Sequence, residues 1–317
     1  MADNGKSCTF KTSIGGQALM EGILMRGPKK QAIVCRTKDG LVEKTEELKF
    51  IKDKFPILGW PLIRGCATFL DSMYKGMQAL TYSASLLPPE ELGEPDKLDM
   101  WIEKHFPAEK AQKLIIGVAV VLGIALAMFL FVFLPAFAVG FIKPLTGNYV
   151  VRNLSEGVVR IAILLGYMRL CCGMKEVKRL FAYHGAEHKA IFCYEHGKEL
   201  TVENVREESR FHPRCGTSFL LVVVVVSILV NSVVRVDNTF ARMGCHLLLL
   251  PLVVGISYEI NRWCGKHDNL LSAILSAPGK WLQKMTTNEP DDGMIECAIR
   301  AIELVIPEEK GSDAWGE

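Results

Sequence analysis

The sequence predicts a mainly α-helical, polytopic membrane protein with about four transmembrane helices, a cytosolic helical excursion and a small N-terminal β-hairpin. Three observations predict it. Half of the 317 residues are hydrophobic, and they are gathered into runs rather than spread through an amphipathic soluble pattern. Leu114 to Ile142 contains no charged residue, well beyond the ~20 residues that cross a bilayer. Gly216 to Val234 is likewise uncharged and rich in valine.

Residues 1–13 read as a disordered leader, and with no apolar h-region no cleaved signal peptide is expected. Gly15 to Gly27 is apolar and glycine-punctuated, with Gln17 and Glu21 four apart. A carboxylate in such surroundings needs a partner, and Arg26 or Arg64 is expected to supply it. Gln17, Glu21 and Arg26 either fix a tight element or line a site. Gln31–Arg36 and Leu41–Thr45 flank Lys38-Asp39-Gly40, a strong hairpin signal. Gly59 to Leu87 reads as an amphipathic helix or membrane-surface hairpin, ended by Pro88-Pro89. Glu90–Lys110 is a charged linker or short surface helix.

The first span is Leu114–Ile142, bent or ended by Pro135. Ser155–Met174 is a weaker second span, because Arg160 and Arg169 interrupt it, although arginines near span ends can snorkel. Gly216–Val234 is the third, and Met243–Tyr258 the fourth. The short connections 143–153 and 235–242 hold only Lys143, Arg152, Arg235 and Arg242, whereas the N-terminal region, 174–215 and the tail hold most of the other Lys and Arg. The positive-inside rule then makes this a multi-pass plasma-membrane protein with both termini cytosolic. Its segments are 1–112, a cytosolic N-terminal region; 113–173, spans one and two; 174–215, a cytosolic excursion; 216–261, spans three and four; and 262–317, a cytosolic tail. In the tail, Asp291 to Val305 reads as a helix whose stripe of Met294, Ala298, Ala301, Ile302 and Val305 docks on the cytosolic domain or a partner helix.

The bilayer is the partner that composition implies. A net charge of +2 is too small to imply nucleic acid, and no Lys/Arg tract has interleaved aromatics. The ten cysteines include no CxxC pair and read mostly as reduced, small hydrophobic residues.

The chemistry centres on His184-Gly185-Ala186-Glu187-His188. On a helix, His184, Glu187 and His188 share one face at i, i+3 and i+4. Two imidazoles so spaced reach one metal ion, and the carboxylate beside them can take a proton from a water held there. Zinc peptidases of the inverzincin type use this His-x-x-Glu-His pattern, a likeness confined here to residues 184–188. Val177, Leu180, Phe181, His184, His188 and Ile191 form one stripe, while Lys175, Lys178, Arg179 and Lys189 fall on the opposite, solvated side. The histidines therefore point inward. The structural alternative is a pair of hydrogen-bonded core histidines.

Topology brings the ends of spans two, three and four to one membrane face. Thr201–Phe211 reads as a short helix capped by Thr201, returning the chain towards His184. His212, Cys215 and Glu259 are the candidates for a third ligand, and all three types suit zinc or another divalent metal. Cys215 with His212 is also a candidate thiolate nucleophile pair. Glu195 and His196, just before Gly197, read as a solvated helix end. His246 and His267 fall elsewhere.

Several motifs together resemble the YqhQ-like family: Gly-Gly-Gln-Ala-Leu-Met-Glu-Gly at 15–22, His-Gly-Ala-Glu-His-Lys at 184–189, Leu-Thr-Val-Glu-Asn-Val-Arg at 200–206 and His-Pro-Arg-Cys-Gly-Thr-Ser at 212–218. Residues 257–262 and Thr-Thr-Asn-Glu-Pro at 286–290 fit as well. The resemblance implies a multi-pass bacterial membrane protein of a group described as predicted metal-dependent enzymes, with no substrate attached. The expected function is a zinc-dependent membrane-bound hydrolase with Glu187 as general base, acting on a peptide or membrane-derived molecule at the cytosolic face. The alternative is a non-catalytic assembly or scaffold protein with a structural metal or hydrogen-bonded His cluster. A third is transport, with Arg160 and Arg169 marking a pathway.

Overall fold

The computed structural model describes residues 10–49, 55–88, 100–101, 105, 107–140, 148–236, 238–309 and 311–315. Most of the expected leader, residues 90–99, 102–104 and 106 of the charged linker, the end of the first span at 141–142 and residues 143–147 of the following connection lie outside them. The chain divides into one unit of residues 1–87, 168–226 and 251–317 and a second of 88–167 and 227–250.

The first unit is built on a four-stranded antiparallel meander: β1 (Gly15–Leu19), β2 (Gly22–Arg26), β3 (Lys30–Thr37) and β4 (Gly40–Glu47), in that order. The expected hairpin is β3–β4, closed at Thr37↔Gly40. It is half of a larger sheet. Gly15–Gly27, read from sequence as one glycine-packed element, is a second hairpin in which Leu19 pairs with Gly22. The reason is burial on both faces. Ile23, Met25, Ala32 and Val34 join one core cluster, and Leu19, Leu24, Ile33 and Cys35 join the other. A strand covered on both sides reads as a continuous apolar run with no alternation to mark it. The exposed edge strand β4 carries Glu43, Lys44, Glu46 and Glu47, charges that blunt an open edge.

Helix α1 (Ile63–Ser85) covers one face of the sheet, with Ala79 in its core cluster. Further along the chain, α5 (Lys175–Glu195) and α10 (Asp292–Glu303) cover the other face. Asp291 caps α10 by accepting from Met294 N–H, and the stripe Met294, Ala298, Ala301, Ile302 and Val305 is buried. The tail helix therefore docks within this chain. Between α5 and α10 come α6 (Val202–Arg206), α7 (Gly216–Ser232), α8 (Thr239–Lys266) and α9 (Leu270–Thr286). Thr201 caps α6 as expected, but the helix stops at Arg206 rather than Phe211.

The second unit contains α2 (Ala108–Met128), which runs through a π-turn at Phe129–Phe133 into α3 (Leu134–Gly140), and most of α4 (Tyr149–Cys171). Pro135 offers no N–H, and just before it Leu134 N–H reaches five residues back to Phe129, so the expected perturbation is a π-turn. Arg160 does not snorkel. It is buried, and it bonds to Glu156 at 3.2 Å and to Ser227 at 2.9 Å, with His246 3.2 Å from the same carboxylate.

Among the described residues, two helices are long and apolar enough to cross a membrane, Leu114–Gly140 and Thr239–Lys266. The count rises to three if α4 and α5, bent by 99°, form one broken span. The expected third span, α7, is apolar but only 17 residues long. The result is a mainly helical chain compatible with membrane association, with two to three candidate spans among the described residues, so the expected four are not confirmed.

Candidate metal centre

Everything described here lies in the first unit. Helix α5 begins after Met174 and ends at Glu195, and Gly197, with a φ of 65°, supplies the left-handed stop just beyond it. His188 is 1% exposed and His184 half-buried, and their ring centroids are 4.4 Å apart. His184 Nδ1 lies 2.8 Å from the carbonyl oxygen of Thr286, and His188 Nδ1 lies 2.5 Å from that of Arg210. A carbonyl only accepts, so both Nδ1 atoms carry the hydrogen. The Nε2 atoms are thereby aimed elsewhere, the usual arrangement around metal-binding histidines.

His184 Nε2 is 3.2 Å from Cys215 Sγ. His188 Nε2 is buried and makes no well-aligned hydrogen bond, and the Cys215 thiol is the group it interacts with. Donor atoms of His184, His188 and Cys215 all lie within 4.8 Å of one another. Two imidazoles and a thiol are a donor set suited to zinc, and three protein ligands leave a fourth position open. Glu187 is 5% exposed, and its Oε2 is also buried without a partner. Glu187, His188 and Cys215 line a cavity of about 110 Å³, closed in part by Gly15, Gly16, His212, Arg214 and Trp315.

Gly16 is what lets β1 approach the carboxylate. A Cβ there would stand 3.0 Å from Glu187 Cδ and 2.7 Å from Leu24 O, and the Gly16 backbone N–H bonds to Glu187. Burial pushes the Glu187 carboxyl above its ordinary range despite the neighbouring histidines. For Cys215, burial alone would raise the thiol. The charges of His184 and His188 and the His184 hydrogen bond outweigh it, and hold the thiol well below its ordinary value. Burial opposes protonation of His184, yet contact with Cys215 drives it upward. Both shifts favour moving the Cys215 proton towards His184.

The model for the family described as "Protein of unknown function (DUF1385)" matches residues 60–308. The chain belongs to the DUF1385 family. It is also similar to "Uncharacterized protein YqhQ" of Bacillus subtilis (strain 168), being 31% identical over 296 residues, 92% of each chain. No solved structure matches. The DUF1385 match takes in His184, Glu187, His188 and Cys215 and begins downstream of Gly16.

Of the five ligand candidates in this DUF1385 chain, the structure gathers three. Glu259 is elsewhere: Arg64 Nε donates to it at 2.7 Å, Arg64 Nη2 bonds its other oxygen, and Leu62 N–H is 3.4 Å away. His212 lines the cavity, but both ring nitrogens are engaged, Nε2 with Glu195 at 3.4 Å and Nδ1 with Arg214 N–H. Burial lowers its pKa to about 4. Glu21 pairs with Arg179 and Tyr183 rather than with Arg26 or Arg64. Arg26 bonds to Ser72, and Gln17 packs on Gly76, so none of these three lines the cavity.

Sequence reasoning misplaced two residues and missed a third. Glu195 is fully buried, not solvated, and it anchors His212, Arg214 and Thr12 N–H. Lys189 is buried too, donating to the carbonyls of Arg206 and Glu208. Gln283 brackets the Cys215 loop. It accepts from His212 N–H at 2.8 Å and donates to His212 O at 2.7 Å and Ser218 Oγ at 3.0 Å. The available signal was a glutamine beside Leu282 on the helix face that also carries Thr286.

Proposed function

We propose that this protein is a zinc-dependent, membrane-bound hydrolase whose site lies at the cytosolic membrane face. The observation that carries the reading is the convergence of His184, His188 and Cys215 donor atoms within 4.8 Å of one another, beside a buried Glu187 Oε2 that has no hydrogen-bond partner. A buried polar atom without a partner is costly, and a water on a cation at the neighbouring donors would answer for Glu187 Oε2. His184, His188 and Cys215 would hold it. Bound zinc supplies Lewis acidity towards water and towards the oxygen of a scissile bond.

The protein's own groups do the rest. Thr286 O and Arg210 O fix the tautomers of the two histidines. Glu187, one oxygen towards Gly16 and the other free, accepts the proton of the attacking water and returns it to the leaving group. Arg214, tied to Glu195 and resting over the Trp315 ring, lines the cavity together with Trp315. The distribution of Lys and Arg favours a multi-pass chain with both termini in the cytosol, and a peptide or membrane-derived molecule is the substrate class in reach of such a site.

The test is metal analysis joined to function. In cells that need this gene, Glu187→Gln should keep stoichiometric zinc and lose function, whereas His184→Ala should lose both. Full function in Glu187→Gln removes the general base. Zinc retained in Glu187→Gln together with full function leaves the non-catalytic reading, a membrane scaffold with a structural metal.

A further inference from the structure

Helix α9 has two dissimilar faces. The inner one carries Leu282, Gln283 and Thr286, all buried, and through Gln283 and Thr286 O it holds the Cys215 loop and His184. The outer one shows Leu270, Leu271, Ile274 and Trp281, with Leu270 78% and Ile274 58% exposed. Single exposed apolar side chains are ordinary, but a contiguous run along one helix marks a contact surface.

What covers this surface is indicated by its surroundings. α9 starts three polar residues after α8, one of the two candidate spans, and the reciprocal Asn269–Ser272 capping box makes it a new helix rather than a continuation. Its neighbours are apolar helices. A Cβ at Gly279 would stand 2.4 Å from Ser218 Cβ at the start of α7, and the Phe219 ring of α7 meets that of Phe69 of α1 at a tilt, with centroids 6.0 Å apart. α1 exposes its own stripe of Leu70, Met73 and Tyr74. Lys280 and Lys284 then add positive charge to the same helix as the exposed run, which matches the anionic cytoplasmic leaflet.

We infer that α9 lies in the plane of the membrane interface. Leu270, Leu271, Ile274 and Trp281 enter the acyl boundary, and the two lysines meet anionic headgroups. A second copy of the chain is the rival occupant, and it would not need the lysines or the adjoining span. The helix that orients His184 and clamps His212 is thus itself seated in lipid, so the bilayer supports the candidate metal centre from below. Only that last consequence rests on the metal reading. The lipid contact does not.

The experiment uses the full chain in vesicles of phosphatidylcholine and phosphatidylglycerol carrying brominated acyl chains. Wild-type emission minus that of Trp281→Phe isolates Trp281. The expected result is loss of most of this component to the brominated lipid, with little loss to aqueous iodide. Quenching by iodide and not by lipid overturns the proposal. Protection from both overturns it as well, in favour of a protein cover. Should Trp281→Phe not fold, Ile274→Trp supplies the probe as an added, lipid-quenched component. Zinc content measured on the same vesicles separates the two accounts: quenching without zinc sinks the metal centre alone, and zinc without quenching sinks the in-plane helix alone.

Discussion

Replacing Gly185 with alanine would set a methyl carbon 2.1 Å from the carbonyl oxygen of Asn288. Even a close C–H···O contact needs about 3.3 Å, so one backbone must move by about 1 Å. The obstacle is not a flexible side chain. Asn288 N–H donates to Phe181 O at 2.8 Å, and its side-chain amide donates to Lys178 O at 2.9 Å, which fastens the 286–290 segment along α5. Overpacking costs about 1–3 kcal/mol, and a contact this short belongs at the upper end. Alanine in place of glycine inside a helix returns up to about 1 kcal/mol. The net loss is about 2 kcal/mol, a fall of about 4–8 °C in the thermal midpoint.

The same shift carries Thr286 O away from His184 Nδ1, and loss of such an outer partner weakens metal binding by about 10–100-fold. Thermal unfolding in detergent and competitive zinc titration read the two effects. Gly15→Ala is the control, since nothing lies within 4 Å of a Cβ there, and it should stay within about 0.5 kcal/mol of wild type. A Gly185→Ala protein that melts and binds zinc like wild type would refute the reasoning.

Two further predictions concern the walls of the site. Burial alone would raise the Glu195 carboxyl, but its hydrogen bond with His212 and the charge of Arg214 hold it below the ordinary range. A depressed folded-state pKa gives stability that is present above the unfolded value, about 4.3, and is lost as pH falls through the folded value. Glu195→Gln should therefore cost about 3–5 kcal/mol at neutral pH, as expected when one partner of a buried pair is removed, and the gap from wild type should close only below the usual carboxylate range. Equal denaturant midpoints at pH 7 would contradict this. Stripping metal with a chelator should make Cys215 a fast target for iodoacetamide near neutral pH, as read by peptide mass spectrometry. Cys193 and Cys297, whose thiols burial pushes up to about 11 and 12, should stay slow. Equal rates for the three would count against a thiolate at Cys215.

The pairing of His184 with His188 was legible because helical spacing is a local property. So were the Asp-Gly hairpin, the Thr201 cap and the Asp291 helix start, each settled within a few residues. The residue that joins the two histidines was not. Choosing Cys215 over Glu259 depends on Arg64, 195 residues away, taking the carboxylate, and setting His212 aside depends on Glu195 being inside. Glu195 precedes a glycine stop, which suggests a solvated end. Yet two segments far apart in the chain, 11–13 and 313–315, pair beside it: Ser13 N–H bonds to Asp313 O at 2.5 Å, and Trp315 N–H to Lys11 O at 2.8 Å. No periodicity encodes that closure. Strand β2 was hidden for a different reason, since burial on both faces erases the alternation by which strands are read.

X-ray absorption at the zinc edge, on purified full-length protein, tests the His184–His188–Cys215 centre most directly. The account predicts one sulfur at about 2.3 Å and nitrogen scatterers at about 2.0–2.1 Å, with the sulfur lost in Cys215→Ser. A zinc shell of oxygen and nitrogen alone in the wild type, or a sulfur signal that survives Cys215→Ser, would contradict it.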